Sequence, residues 1–237
     1  MSLRITARPE QVAELTRGRQ IPLGTLPDRN LTVIAEVLAC AWNDLLQSQR
    51  QALLSGGEVE INTLLESRLN AVLEEDPAWS LLVCGVTRGK ESMSFDGSHL
   101  EKQPDLSLHL TCRNFSFPLI IECKLLDHPR GKRIDMYCSD GLARFVRGEY
   151  AWATREAFML AYVRDGSRIA SSLTPHLCER QKQTPDPFET SALPEMSAGT
   201  RLHLARSSHC RSFRYVRCPS SNEPGPISIW HLWFFPE

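Results

Sequence analysis

PLIIECKLL (residues 118–126) decides how the rest of the chain is read. An Ile/Leu-rich run of this length, opened by Pro118, predicts a strand buried on both faces in the interior of a sheet. Glu122 and Lys124 contradict that environment. Burying an ion is costly unless it is paired, metal-bound or at a wet site, so the two charges mark either a structural salt bridge or a functional centre.

The surrounding chain has 237 residues, enough for a large core, and its 42% hydrophobic and 23% charged content is that of a globular protein. With a formal charge of −1, any affinity for nucleic acid must come from local patches. No apolar run is long enough to span a bilayer, and MSLRITARPE lacks the apolar segment of a signal peptide, so a cytoplasmic protein with no membrane partner is expected. In a reducing compartment Cys40, Cys84, Cys112, Cys123, Cys138, Cys178, Cys210 and Cys218, which form no CxxC pair, read as small apolar residues rather than disulfides or zinc ligands.

Working outward from the strand, residues 29–54 place Leu31, Ile34, Leu38, Leu45 and Leu46 at helical spacing behind Asp28 as a cap, and Gly56-Gly57 stops the pattern. Residues 58–76 form a second helix with Ile61, Leu64, Leu65, Leu69 and Val72 on one face, ended by Pro77. SLLVCGVTR (80–88) and QPDLSLHLTCR (103–113) join PLIIECKLL as three strands, the last two linked by the short hairpin turn RNFSF. Residues 139–153 read as helix, 158–166 as strand and 167–180 as helix. The proline-rich stretch 180–200 reads as a loop, and RLHLA (201–205) and ISIWHLWFF (227–235) as strands added to the sheet edge.

The expected class is therefore α/β, a mixed central sheet flanked by helices. The expected division is an N-terminal helical extension (1–55), a core (56–178), a loop or linker (179–200) and a basic C-terminal β extension (201–237).

Alternation puts Leu106, Leu108 and Leu110 on one face of their strand and Asp105, Ser107 and His109 on the other. Leu119, Ile121, Cys123 and Leu125 oppose Glu122 and Lys124 in the same way. If the strands pair apolar face to apolar face, Asp105, Glu122 and Lys124 converge, a register that the turn permits but does not fix. Two carboxylate ligands suit Mg²⁺, which can acidify a bound water and offset charge at phosphorus, while the lysine orients that water or helps deprotonate it.

Pro104-Asp105 followed by Glu122-Cys123-Lys124 resembles the PD-(D/E)XK signature of restriction-endonuclease-like nucleases, whose core order is helix, three strands, helix, strand. The resemblance covers roughly residues 58–165. It implies that Asp105 and Glu122 ligate Mg²⁺, with Mn²⁺ as substitute, that the Cys123 carbonyl is a further ligand, and that Lys124 is the catalytic lysine. It also implies a glutamate from the first core helix: Glu58, Glu60 and Glu66 compete, and Glu58 is preferred because it shares the face of Ile61 and Leu65. The implied activity is hydrolysis of phosphodiester bonds, with DNA the first substrate to consider and RNA the second, in prokaryotic defence or mobile-element biology. The alternative is a non-catalytic nucleic-acid- or protein-binding subunit of a larger complex. A homodimer or partner subunit is compatible with either.

Arg144 and Arg147, on the helix after the motif strand, suit phosphate contacts. So do Arg211, Arg214 and Arg217 in the stretch 201–217, which holds five arginines, two histidines and no acid. Phe213 and Tyr215, interleaved among them, suit base stacking.

Overall fold

The computed structural model describes residues 9–98, 102–215 and 223–236. Helices α1 (Pro9–Thr16), α2 (Asp28–Ser48), α3 (Arg50–Ser55), α4 (Glu58–Glu75) and α5 (Pro77–Leu82) lead into strands β1 (Val83–Thr87), β2 (Leu106–Leu110) and β3 (Leu119–Leu126). Helix α6 (Ile134–Tyr137), a π-helical turn (Cys138–Leu142) and α7 (Ala143–Val146) form one winding element before β4 (Glu156–Val163). A second π-helical turn (Ile169–Leu173) and α8 (Thr174–Gln181) precede β5 (Thr190–Met196), β6 (Leu204–His209) and β7 (Ile227–Phe234).

The seven strands among the described residues form one open, mixed sheet in the order β1-β2-β3-β4-β7-β6-β5. Its centre, β3-β4-β7, is parallel, and both flanks are antiparallel. Parallel strands covered on both faces need apolar side chains in both directions, which explains the continuous apolar runs of β3, β4 and β7. On one face Leu108, Ile121, Leu160 and Leu232 pack against Leu31, Ile34 and Leu38 of α2 and Ile61, Leu65 and Leu69 of α4. On the other, Met159, Ala161, Ile229 and Trp233 are covered by Tyr137, Leu142, Phe145 and Leu177.

Several expectations are corrected. Residues 1–55 are not an appendage, because α2 belongs to the main core: Trp42 stacks on Tyr162 and Phe234, with ring centroids 5.4 and 5.1 Å away, and its Nε1 donates to the Phe235 carbonyl at 3.0 Å. The helix over 29–54 is broken at Gln49. Asp28 lies inside α2, after Pro27, where its charge suits the first turn rather than capping it. Pro77 opens a helix as well as ending one, since the Asp76 side chain accepts from Ala78 N and Trp79 N at 2.8 and 3.4 Å.

The stretch 179–200 is not all loop, because β5 lies within it and forms one edge of the sheet. The last strand is no edge addition. β7 sits between β4 and β6, which is why Trp230, Trp233 and Phe234 are buried, and residues 201–237 share the sheet with the core.

Among the described residues no helix is long and apolar enough to cross a membrane. Residues 1–8 of the stretch read for a leader lie outside the described residues, as does Cys218. The seven described cysteines are free, but Cys40, Cys84, Cys112 and Cys210 are exposed rather than buried.

Candidate active site at the open edge of β3

Strand pairing places the site. β2 and β3 are antiparallel with Leu106 opposite Ile121, so the ladder stops one residue short of Asp105 while β3 continues through Glu122–Leu126. Pro104, which has no N–H to give to a ladder, precedes this divergence. The backbone of β3 still has β4 on one side, but on the other its polar groups need new partners. Side chains supply them. Asp105 Oδ2 accepts from Cys123 N at 2.8 Å, Glu58 Oε2 accepts from Leu125 N at 2.9 Å, and Lys124 Nζ donates to the Cys123 carbonyl at 2.9 Å.

The same side chains converge on one another. Lys124 Nζ lies 2.7 Å from Glu122 Oε1, 3.6 Å from Glu58 Oε1 and 3.7 Å from Asp105 Oδ2. Arg144 of α7 places Nη1 3.3 Å from Glu122 Oε1 and donates to the Tyr150 hydroxyl at 2.8 Å. The structure thus brings together Glu58, Asp105, Glu122, Lys124 and Arg144. Of the competing helix glutamates, Glu66 instead pairs with Arg88 at 3.5 Å, and Glu60 lies against Gly56.

Burial, with Asp105 adding to it, pushes the Glu122 carboxyl up to about 7 against the pull of Lys124 and Arg144. Burial also opposes the charge on Lys124, but Glu122, Asp105 and Glu58 outweigh it and hold the amine above its ordinary value. Lys124 is therefore an ammonium at neutral pH. It can donate to water or phosphate, whereas this environment disfavours its acting as a base.

The donor set is chemically suited to a hard cation: oxygens only, with Glu122 1% exposed and its Oε2 without a hydrogen-bond partner. Asp105, Glu122 and the Cys123 carbonyl all face the place now taken by the Lys124 ammonium. Among the described residues, however, no group of three or more Asp, Glu, His or Cys side chains is set as a ready metal cluster.

A small cavity of about 180 Å³, lined by Glu58, Lys124, Lys132, Tyr137 and Asp140, opens beside this cluster. The π-helical turn forms its neighbour: a Cβ on Gly141 would lie 2.6 Å from Met159 Cε and 3.5 Å from Lys124 Cε, so the turn passes close to the lysine stem.

Asn62 was not singled out in the sequence. It is buried on α4, donates from Nδ2 to Asp105 Oδ1 at 2.9 Å and accepts the Tyr162 hydroxyl at 2.7 Å. The signal was present, because Asn62 follows Glu58 by one turn and is a polar residue on the apolar face of Ile61 and Leu65. Replacing Asn62 with Ala removes the partner of the buried Tyr162 hydroxyl and of the half-buried Asp105 carboxylate, and a loss of about 1–3 kcal/mol is expected in urea unfolding.

The remaining arginines divide. Arg147 is exposed, and Arg214 is exposed and 3.5 Å from Glu223. Arg211 is corrected as a nucleic-acid contact: its guanidinium is buried, donating to the carbonyls of Gly225, Ala151 and Pro224 at 2.9, 3.2 and 2.7 Å, and burial lowers its pKa to about 10. Tyr215 is buried as well and is unavailable for stacking, while Phe213 lies half-buried against Phe95 at 4.5 Å. Arg217 lies outside the described residues. Comparison of the chain with models of protein families, with curated proteins and with solved structures found no match.

Proposed function

We propose that the protein is a Mg²⁺-dependent phosphodiesterase acting on DNA, built on a restriction-endonuclease-like core. The order α4, antiparallel β1-β2-β3, the α6–α7 element and β4 parallel to β3 agrees with that reading. The observation that carries it is the single cation position faced by Glu58, Asp105, Glu122 and the Cys123 carbonyl. Asp105, Glu122 and the Cys123 carbonyl would hold Mg²⁺ or Mn²⁺. When bound, the ion supplies a more acidic water and neutralises charge at the phosphate.

The chain's own groups do the rest. Ionised Glu122 presents its unpartnered oxygen, and the Tyr162–Asn62 pair keeps Asp105 turned toward the site. Lys124 donates to the attacking water or to a non-bridging phosphate oxygen. Arg144, half-buried at the rim, adds a second positive charge for the phosphate.

The test incubates purified protein with plasmid, linear duplex, single-stranded DNA and RNA, with and without Mg²⁺. Metal-dependent cleavage is expected, with Asp105→Asn reducing it by about 100-fold while circular dichroism stays unchanged. Full activity in that folded variant would sink the mechanism. The second reading, a binding subunit without catalysis, draws on the pairing of Glu122 with both Lys124 and Arg144. It predicts that DNA binds while calorimetry finds no Mg²⁺ or Mn²⁺ binding abolished by Asp105→Asn.

A further inference from the structure

We infer that the larger cavity beside the acidic cluster receives one nucleobase of the substrate, so that the strand presented for cutting is single-stranded or locally unpaired. This inference rests on the nuclease reading and names its substrate class. The cavity measures about 340 Å³ and includes Pro104, Ser107 and Ile120 in its lining. Ser107 stands opposite Ile120 in the β2–β3 register, and Ile120 shares a strand face with Glu122. At the usual strand rise, Ser107 and Ile120 lie roughly 7 Å along the sheet from Asp105 and Glu122. That is comparable to the reach from a backbone phosphate to a neighbouring base.

The lining suits a flat heteroaromatic ring. Phe117 and Trp152 meet edge to face with centroids 5.9 Å apart, and Trp152 Nε1 is fixed on the Met93 carbonyl at 2.6 Å. Ser107 is 3% exposed and lines the cavity. Its hydroxyl, both donor and acceptor, is matched to a ring nitrogen or carbonyl of a base. Phe115 lines the cavity and is exposed, its ring stacked on His109 at 3.7 Å with Lys90 Nζ 4.4 Å from its centroid, which sets a cation beside the cavity for the strand backbone. A base stacked inside a duplex has no access to such a cavity; an unpaired or extruded one does.

The test uses short single-stranded oligonucleotides with 2-aminopurine at successive positions, titrated into wild-type protein in chelator so that binding is read without cleavage. Quenching at one position is expected, and an abasic site there should weaken binding by about tenfold. Ser116→Trp, an exposed substitution at the cavity rim, should abolish the quenching and make the abasic and intact strands bind alike. A duplex with an unpaired base at that position should bind at least about tenfold tighter than the perfect duplex. Equal binding of abasic and intact strands by wild-type protein overturns the inference. Quenching without cleavage after Mg²⁺ is added supports the cavity and overturns the nuclease reading. Absence of any oligonucleotide binding overturns both.

Discussion

Lys124→Met protein is expected to be less stable than wild type by about 3–5 kcal/mol at about pH 8, and by much less at about pH 6. The ammonium is the partner of Glu122, which is 1% exposed, and also faces Asp105 and Glu58. Removing it leaves a buried carboxylate whose remaining cationic partner among the described residues is Arg144.

The pH dependence follows from linkage. Burial and Asp105 raise Glu122 from 4.5 to about 7 in the folded state, so the protonated form favours folding. That contribution is fully present below the unfolded value and is lost as pH rises through the folded one. Without Lys124 the folded value climbs further, and the penalty falls mainly on the alkaline side. Urea unfolding at the two pH values checks this, and equal losses at both would refute the account. Lys124→Met combined with Glu122→Gln should recover most of the stability, because no buried charge is stranded. Where the variant remains folded, the DNA hydrolysis proposed above should fall by about 10²–10³-fold, as expected for loss of one electrostatic donor.

The second large effect is on acid stability. Tyr137, His231, Ser207 and His209 form a buried chain: Tyr137 OH to His231 Nδ1, His231 Nε2 to Ser207 Oγ, and Ser207 Oγ to His209 Nε2, each at 2.8 Å. His209 Nδ1 must donate to the Phe188 carbonyl, also at 2.8 Å, and this fixes every proton. Nε2 of His209 accepts from Ser207, Ser207 accepts from His231 Nε2–H, and Tyr137 donates to His231 Nδ1. A proton added to either histidine breaks the chain.

Burial accordingly lowers His209 from 6.5 to about 4, and burial with His209 nearby lowers His231 to about 3. The unfolded state binds these protons first, so stability is complete above the unfolded value of 6.5 and falls as pH drops toward the folded values. His231→Gln keeps an acceptor for Tyr137 and a donor for Ser207 but cannot titrate. Between about pH 5 and 6 its stability should fall less steeply with acid than wild type, by up to one proton or about 1.4 kcal/mol per pH unit. Identical slopes would show that His231 does not carry the linkage.

Much of this protein was legible in the chain. Alternation in 105–111 and 119–125, the short turn at 113–117 and the charges at Glu122 and Lys124 pointed to a hairpin whose polar residues share a face, and the register realises that arrangement. Glu58 was distinguishable from Glu60 and Glu66 by its helical face. The basic stretch 201–217 was misread at Arg211 because sequence gives charge but not depth; a guanidinium can be consumed by carbonyls from loops distant in the chain. β7 was misplaced for a related reason, since periodicity identifies a strand without naming its neighbours.

The α/β class and the pairing of a charged strand with an acidic one are readable from the chain alone, because side-chain period and turn length are local properties. It takes the folded arrangement to show that β2 leaves β3 at Ile121, opening an edge whose N–H and C=O groups Glu58, Asp105 and Lys124 satisfy. That divergence depends on where α4 and β4 pack against β3. Those contacts span dozens of residues, and no local pattern encodes them.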